Sequence, residues 1–176
     1  MTSTMAVAPC GAAPGRACGS CTLCCKVYAL PALEKPPGAW CVHCAPGRGC
    51  KIHDAAPEPC RRFFCLWMSD GKLGEAWRPD RAKFVLSIFP PNRFVYGQVD
   101  PGSPGHWRKE PYYSGLRSLA RTLLDERRHV IMFLGDEATL VMPDEATPLG
   151  KMTSADQFRI EPAFGPKGPS WRATRV

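Results

Sequence analysis

Residues 18–26 read CGSCTLCCK, which sets thiols at Cys18, Cys21, Cys24 and Cys25. An apolar core has no need of sulfur at this spacing. A disulfide framework or a metal does. The rest of the chain sharpens the choice. All 10 cysteines of the 176 residues lie between Cys10 and Cys65, and none follows. That asymmetry predicts two regions with different physics.

Disulfides need an oxidising compartment. The start, MTSTMAVAPCGAAPGR, has neither a basic n-region nor an apolar h-region, and Pro9 precedes Cys10. No stretch approaches the roughly 18 apolar residues of a membrane helix. The expectation is a soluble, cytoplasmic protein whose thiols stay reduced, with no membrane partner. Metal then accounts for the cysteines better than cross-links do.

The net charge of +7 is not a nucleic-acid signal. Residues 1–70 carry seven basic and four acidic side chains, and the remainder carries sixteen and twelve. Basic runs stop at two residues, as in Arg61-Arg62 and Arg127-Arg128. Eight thiolates around two divalent ions would turn the first region from +3 to −1. A solvated surface of mixed charge follows, not a phosphate-binding face.

Composition divides the chain into four parts. Residues 1–15, small and rich in Gly and Pro, read as a disordered N-terminus. Residues 16–70 form the cysteine module, punctuated by EKPPGAW, APGRGC and AAPEPC. Its core candidates are Val27, Leu30, Leu33, Trp40, Ile52, Phe63, Phe64 and Trp67, too few to hold about 55 residues without a staple. Residues 71–149, after a polar connection, read as ββαββ. FVLSIF (84–89) and FVYGQV (94–99) are rich in β-branched and aromatic residues and flank the turn Pro90-Pro91-Asn92. Leu116, Leu119, Ala120, Leu123 and Leu124 mark one face of a helix. HVIMFLGDEATLVM (129–142) reads as strand, turn, strand around Gly135-Asp136-Glu137. Residues 150–176 read as a polar tail with Trp171 as its large anchor. The predicted class is α+β: a small metal-stapled module, then a ββαββ antiparallel sheet with one covering helix.

Beyond residues 18–25 the thiol pattern continues through Cys41, Cys44, Cys50, Cys60 and Cys65, with His53 nearby. A soft ion prefers thiolate, and a C-x2-C turn lets two sulfurs face one centre. Neighbouring side chains point apart, so Cys24 and Cys25 serve different centres or different corners of one cluster. Nothing in the pattern selects a metal.

This string resembles the cysteine-cluster family of zinc- or iron-chelating domain proteins, to which the flagellin N-methylases are related. That family runs C-x2-C-x2-C-C, then C-x-x-L, C-x-I-Y and R-P-x-x-C-R-x-F-x-C. The matches here are Cys18, Cys21, Cys24 and Cys25, Cys41 in CVHC, Cys50 in CKIH, and Pro57, Cys60, Arg61, Phe63 and Cys65 in APEPCRRFFC. About a quarter of the chain is covered. The resemblance implies zinc, or iron held as an iron–sulfur cluster, on Cys18, Cys21, Cys24, Cys25, Cys41, Cys50, Cys60 and Cys65. Ala56 replaces the family's Arg, Cys44 its Leu and His53 its Tyr. The last two are potential ligands, so the number of donors stays open. Cys10 has no partner pattern. His43 reads as exposed or adjacent to a ligand, and His106 and His129 as surface or packing residues.

The main expectation is a metal-binding protein. A metal-cluster enzyme, redox or methyl-transferring, is the second, although no cofactor signature beyond the cysteines accompanies it. A zinc-dependent interaction module is the third. No HExxH, carboxylate-pair or Ser-His-Asp pattern is present. A Cys–His nucleophile would have to be chosen from among many equivalent thiols.

Overall fold

A computed structural model describes residues 11–152, 156, 158–165 and 168–175. Cys10 and most of the predicted N-terminal tail lie outside these residues. Within residues 11–15, Ala13 donates its N–H to Met68 O at 2.8 Å. The chain divides into two compact units, one ending at Ser87 and the other starting at Ile88.

The first unit is built of short pieces: helix α1 (Cys24–Val27), the two-residue strands β1 (Cys44–Ala45) and β2 (Gly49–Cys50), and helices α2 (Glu58–Arg62), α3 (Leu66–Ser69) and α4 (Pro79–Ala82). None is long enough to be stable by propensity alone. Its core gathers Leu23, Val27, Cys65, Trp67, Met68 and Val85, with Leu73 and Trp77 packed against it. Recruitment of Leu73, Trp77 and Val85 explains why this unit runs past residue 70, where composition alone sets its end. Trp40, a core candidate by sequence, is 42% exposed, with the Lys26 ammonium 5.6 Å from its ring centre. Leu23 and Met68 fill the core instead.

Strands β3 (Phe84–Ile88), β4 (Val95–Val99), β5 (Val130–Leu134), β6 (Glu137–Val141) and β7 (Ala146–Lys151) form a mixed sheet in that order. The α+β class holds, but the sheet is not purely antiparallel. β4 and β5 run parallel, with Val95 opposite Val130, because helix α5 (Tyr112–Leu124) makes the crossover between them. A hairpin cannot join parallel neighbours, whereas a helical crossover can. The helix buries Leu116, Ala120 and Leu123, the face that its spacing marks. β5–β6 and β6–β7 are antiparallel.

Two strand features go beyond the reading of residues 71–149 as ββαββ and of 150–176 as a polar tail. β7 contains Pro148, which a central strand excludes, but β7 closes the sheet and is an edge. Strands β8 (Phe158–Gly165) and β9 (Gly168–Arg175) pair antiparallel, with Pro162 opposite Trp171. In a two-stranded ribbon both strands are edges, so Pro162 and Pro169 are tolerated. Ile160 and Trp171 pack against the cluster of Ile131, Leu140, Met142 and Met152. No helix among the described residues is long and apolar enough to cross a membrane.

His129 is half-buried, edge-on to Phe94 at 4.9 Å. Burial holds its pKa down, to about 4 from 6.5. The unfolded chain takes up this proton first, so the contribution is present above about 6.5 and is lost as pH falls towards 4. His129→Gln should therefore flatten the acid side of a plot of urea midpoint against pH. An unchanged slope between wild type and variant would count against the assignment.

Candidate metal centre

Three separated stretches supply the thiols, and local hydrogen bonds aim each of them. In the first, Cys21 N–H donates to Cys18 O at 2.8 Å and closes the first C-x2-C turn. Cys25 N–H donates to Thr22 O at 3.0 Å at the start of α1, which Leu23 and Val27 pin into the core. In the second, Cys44 N–H donates to Cys41 O at 2.9 Å, and Cys44 pairs with Cys50 across the β1–β2 ladder. Gly47 turns this hairpin at a φ of 72°, a left-handed conformation that suits glycine. Its N–H donates to the Thr22 hydroxyl at 3.1 Å, tying the hairpin to the first stretch. A direct tie runs from Cys41 N–H to Cys25 O at 3.0 Å. In the third, Cys60 sits on α2 and Cys65 immediately precedes α3.

All eight cysteines marked by the motif string line one cavity of about 700 Å³. His43 and His53 line it too. Cys44, one of the two further candidate donors, is buried and off this cavity's lining, and is hydrogen-bonded to Cys25. Cys18 and Cys60 are exposed, Cys44 and Cys65 are buried and the others are half-buried; all nine described cysteines are free thiols. Among the described residues no three or more His, Cys, Asp or Glu are gathered tightly enough to hold an ion. Ligation would have to draw the sulfurs inward from their present places on the wall.

Most of these thiols are held protonated. Burial raises Cys18 and Cys21, raises Cys60, and pushes Cys44 and Cys65 up to about 11. Cys24 is raised by the hydrogen bond it gives to Cys25 and then by burial. Cys25 moves the other way, down to about 6. The Cys24 hydrogen bond lowers it, burial opposes, and Cys44 and Lys35 lower it further. In metal-free protein near pH 7, Cys25 is therefore expected to alkylate first, its rate tracking a pKa of about 6. Mass mapping after brief iodoacetamide treatment checks this. Earlier labelling of the more exposed Cys18 or Cys60 would contradict it.

Sequence reasoning missed Lys35, which sits in the turn-forming stretch EKPPGAW. It is 8% exposed, and its ammonium donates to Lys26 O at 3.0 Å, Pro36 O at 2.9 Å and Tyr28 O. Glu34, at a φ of 49°, turns the backbone so that Leu30 and Lys35 exchange backbone hydrogen bonds. A buried ammonium needs such partners. Burial pulls its pKa down, and Cys41, Cys25, Cys24 and Cys60 oppose this in part. Signals of this kind are tertiary, and no local pattern marks the residue.

Comparison of the chain with family models, with curated proteins and with solved structures found no match.

Proposed function

We propose that this protein binds metal, holding zinc or iron (the latter as an iron–sulfur cluster) through clustered thiolates in its first unit. The observation that carries this reading is the convergence on one cavity of eight cysteines from three separated stretches. The donor set fits a soft or borderline ion, for which thiolate is the preferred ligand. Cys18, Cys21, Cys24, Cys25, Cys41, Cys50, Cys60 and Cys65 would hold it. When bound, zinc would supply a structural staple, and an iron–sulfur cluster would add electron transfer. The chain's own part is to present sulfur from backbone turns, shield it with Tyr28, Phe63 and Trp67, and place a buried ammonium beside it. A reducing compartment such as the cytoplasm suits free thiols at this density.

The test is elemental analysis with visible absorbance on anaerobically purified protein. Colourless protein with stoichiometric zinc, or brown protein with iron and sulfide, supports the proposal and selects the metal. Protein that purifies with neither, and takes up neither on reconstitution, refutes it. Because the thiols are mostly protonated, loading should release protons and strengthen as pH rises.

A further inference from the structure

Resting on that metal-binding reading, we propose that the thiols divide into two separate four-sulfur centres. Cys18, Cys21, Cys24 and Cys65 form one, and Cys25, Cys41, Cys50 and Cys60 form the other. The peptide bond between Cys24 and Cys25 joins them.

The first set is defined by packing. Cys24 and Cys65 meet in the same apolar cluster, and Tyr28 lies beside both. Cys18 and Cys21 lie within electrostatic reach of Cys65, although more than forty residues of chain separate them. Cys21 is fixed to Cys18 by the turn hydrogen bond. Arg78 supplies positive charge to Cys18 and Cys21, while its guanidinium bonds Ser20 Oγ at 2.6 Å and pairs with Asp80 at 3.1 Å. A second observation points to a ligand here. Trp67, 6% exposed, lines the cavity two residues from Cys65, and its indole N–H has no hydrogen-bond acceptor among the described residues. A buried donor left unpaired is costly, and a metal-bound thiolate is an acceptor for it.

The second set is defined by backbone ties. Cys41 N–H is bonded to Cys25 O, and Cys25, Cys41 and Cys50 lie within electrostatic reach of Cys60. Lys35 lies within electrostatic reach of Cys41, Cys25 and Cys60 of this set, and of Cys24 of the other. Cys44 pairs with Cys50 in the ladder and is hydrogen-bonded to Cys25, off the cavity wall, which makes it a supporting thiol. The couplings that cross between the sets, Cys18 with Cys25 and Cys24 with Cys25, run through Cys25.

Cys18 and Cys60 are both exposed, one in each set, so serine at either position leaves the core intact. The full chain, stripped and titrated with zinc, is examined by native mass spectrometry, with iodoacetamide mapping of the unprotected thiols. Wild type should bind two ions. Cys18→Ser should keep one, with Cys25, Cys41, Cys50 and Cys60 protected and Cys21, Cys24 and Cys65 reactive. Cys60→Ser should keep one with the opposite protection, and the double variant none. A wild type that binds a single ion, a single variant that loses both, or single variants that keep both would each overturn the division while leaving metal binding standing. A wild type that binds no metal would instead remove the reading on which the division rests.

Discussion

Removal of metal from the loaded protein is expected to abolish amide-exchange protection across residues 41–62 and to leave β4, β5 and β6 protected. Within residues 41–62 only Cys44 and Ala56 are buried, and both are small. Ordering backbone costs about 1–2 kcal/mol per residue, which two such side chains cannot offset. A structural metal contributes about 10–16 kcal/mol of apparent binding energy in small modules. Residues 63–87 differ, because Trp67, Met68 and Val85 bury there together with Leu23 and Val27. Protection should fall least where those residues pack. Hydrogen exchange read by mass spectrometry before and after chelation checks this. Undiminished protection over 41–62 in fully stripped protein would mean that turns and hairpin suffice.

Leu116→Ala should act on the other unit. Leu116 is fully buried on α5, with Ala120 and Leu123 on the same face. Truncating a fully buried leucine costs about 2–5 kcal/mol, the spread depending on how far the site collapses. Zinc content per chain should not change, since every proposed ligand lies before residue 66. Denaturant titration followed by the β-sheet signal, run beside elemental analysis, measures both quantities. A loss below about 1 kcal/mol would mean that the site is not packed as described. Loss of metal in this variant would show that the sheet supports the cysteine unit.

Local pattern carried far in some places and failed in others for physical reasons. Helix α5 was legible because its apolar residues repeat with the helical period, and the burial of Leu116, Ala120 and Leu123 follows that spacing. β3 to β6 were legible from β-branched and aromatic runs. The parallel pairing of β4 with β5 was not, since strand direction depends on where the crossover lands. β7, β8 and β9 were hidden by Pro148, Pro162 and Pro169, because proline reads as a breaker until the strand is known to be an edge. In the cavity, the eight cysteines were marked by the motif string of the family the chain resembles, and all eight line it. The buried ammonium of Lys35, the hydrogen bonds joining Cys24 and Cys44 to Cys25, and the unpaired indole of Trp67 were not legible. Each depends on segments that meet only after folding.

Metal and free thiol counted on the same anaerobically purified sample decide whether these thiols hold metal. The account predicts at least one ion or cluster per chain, with the eight cavity cysteines shielded from thiol reagent until the metal is stripped and reactive afterwards. Stoichiometric reaction of all eight before any treatment, with no zinc or iron present and none taken up on reconstitution, would contradict it.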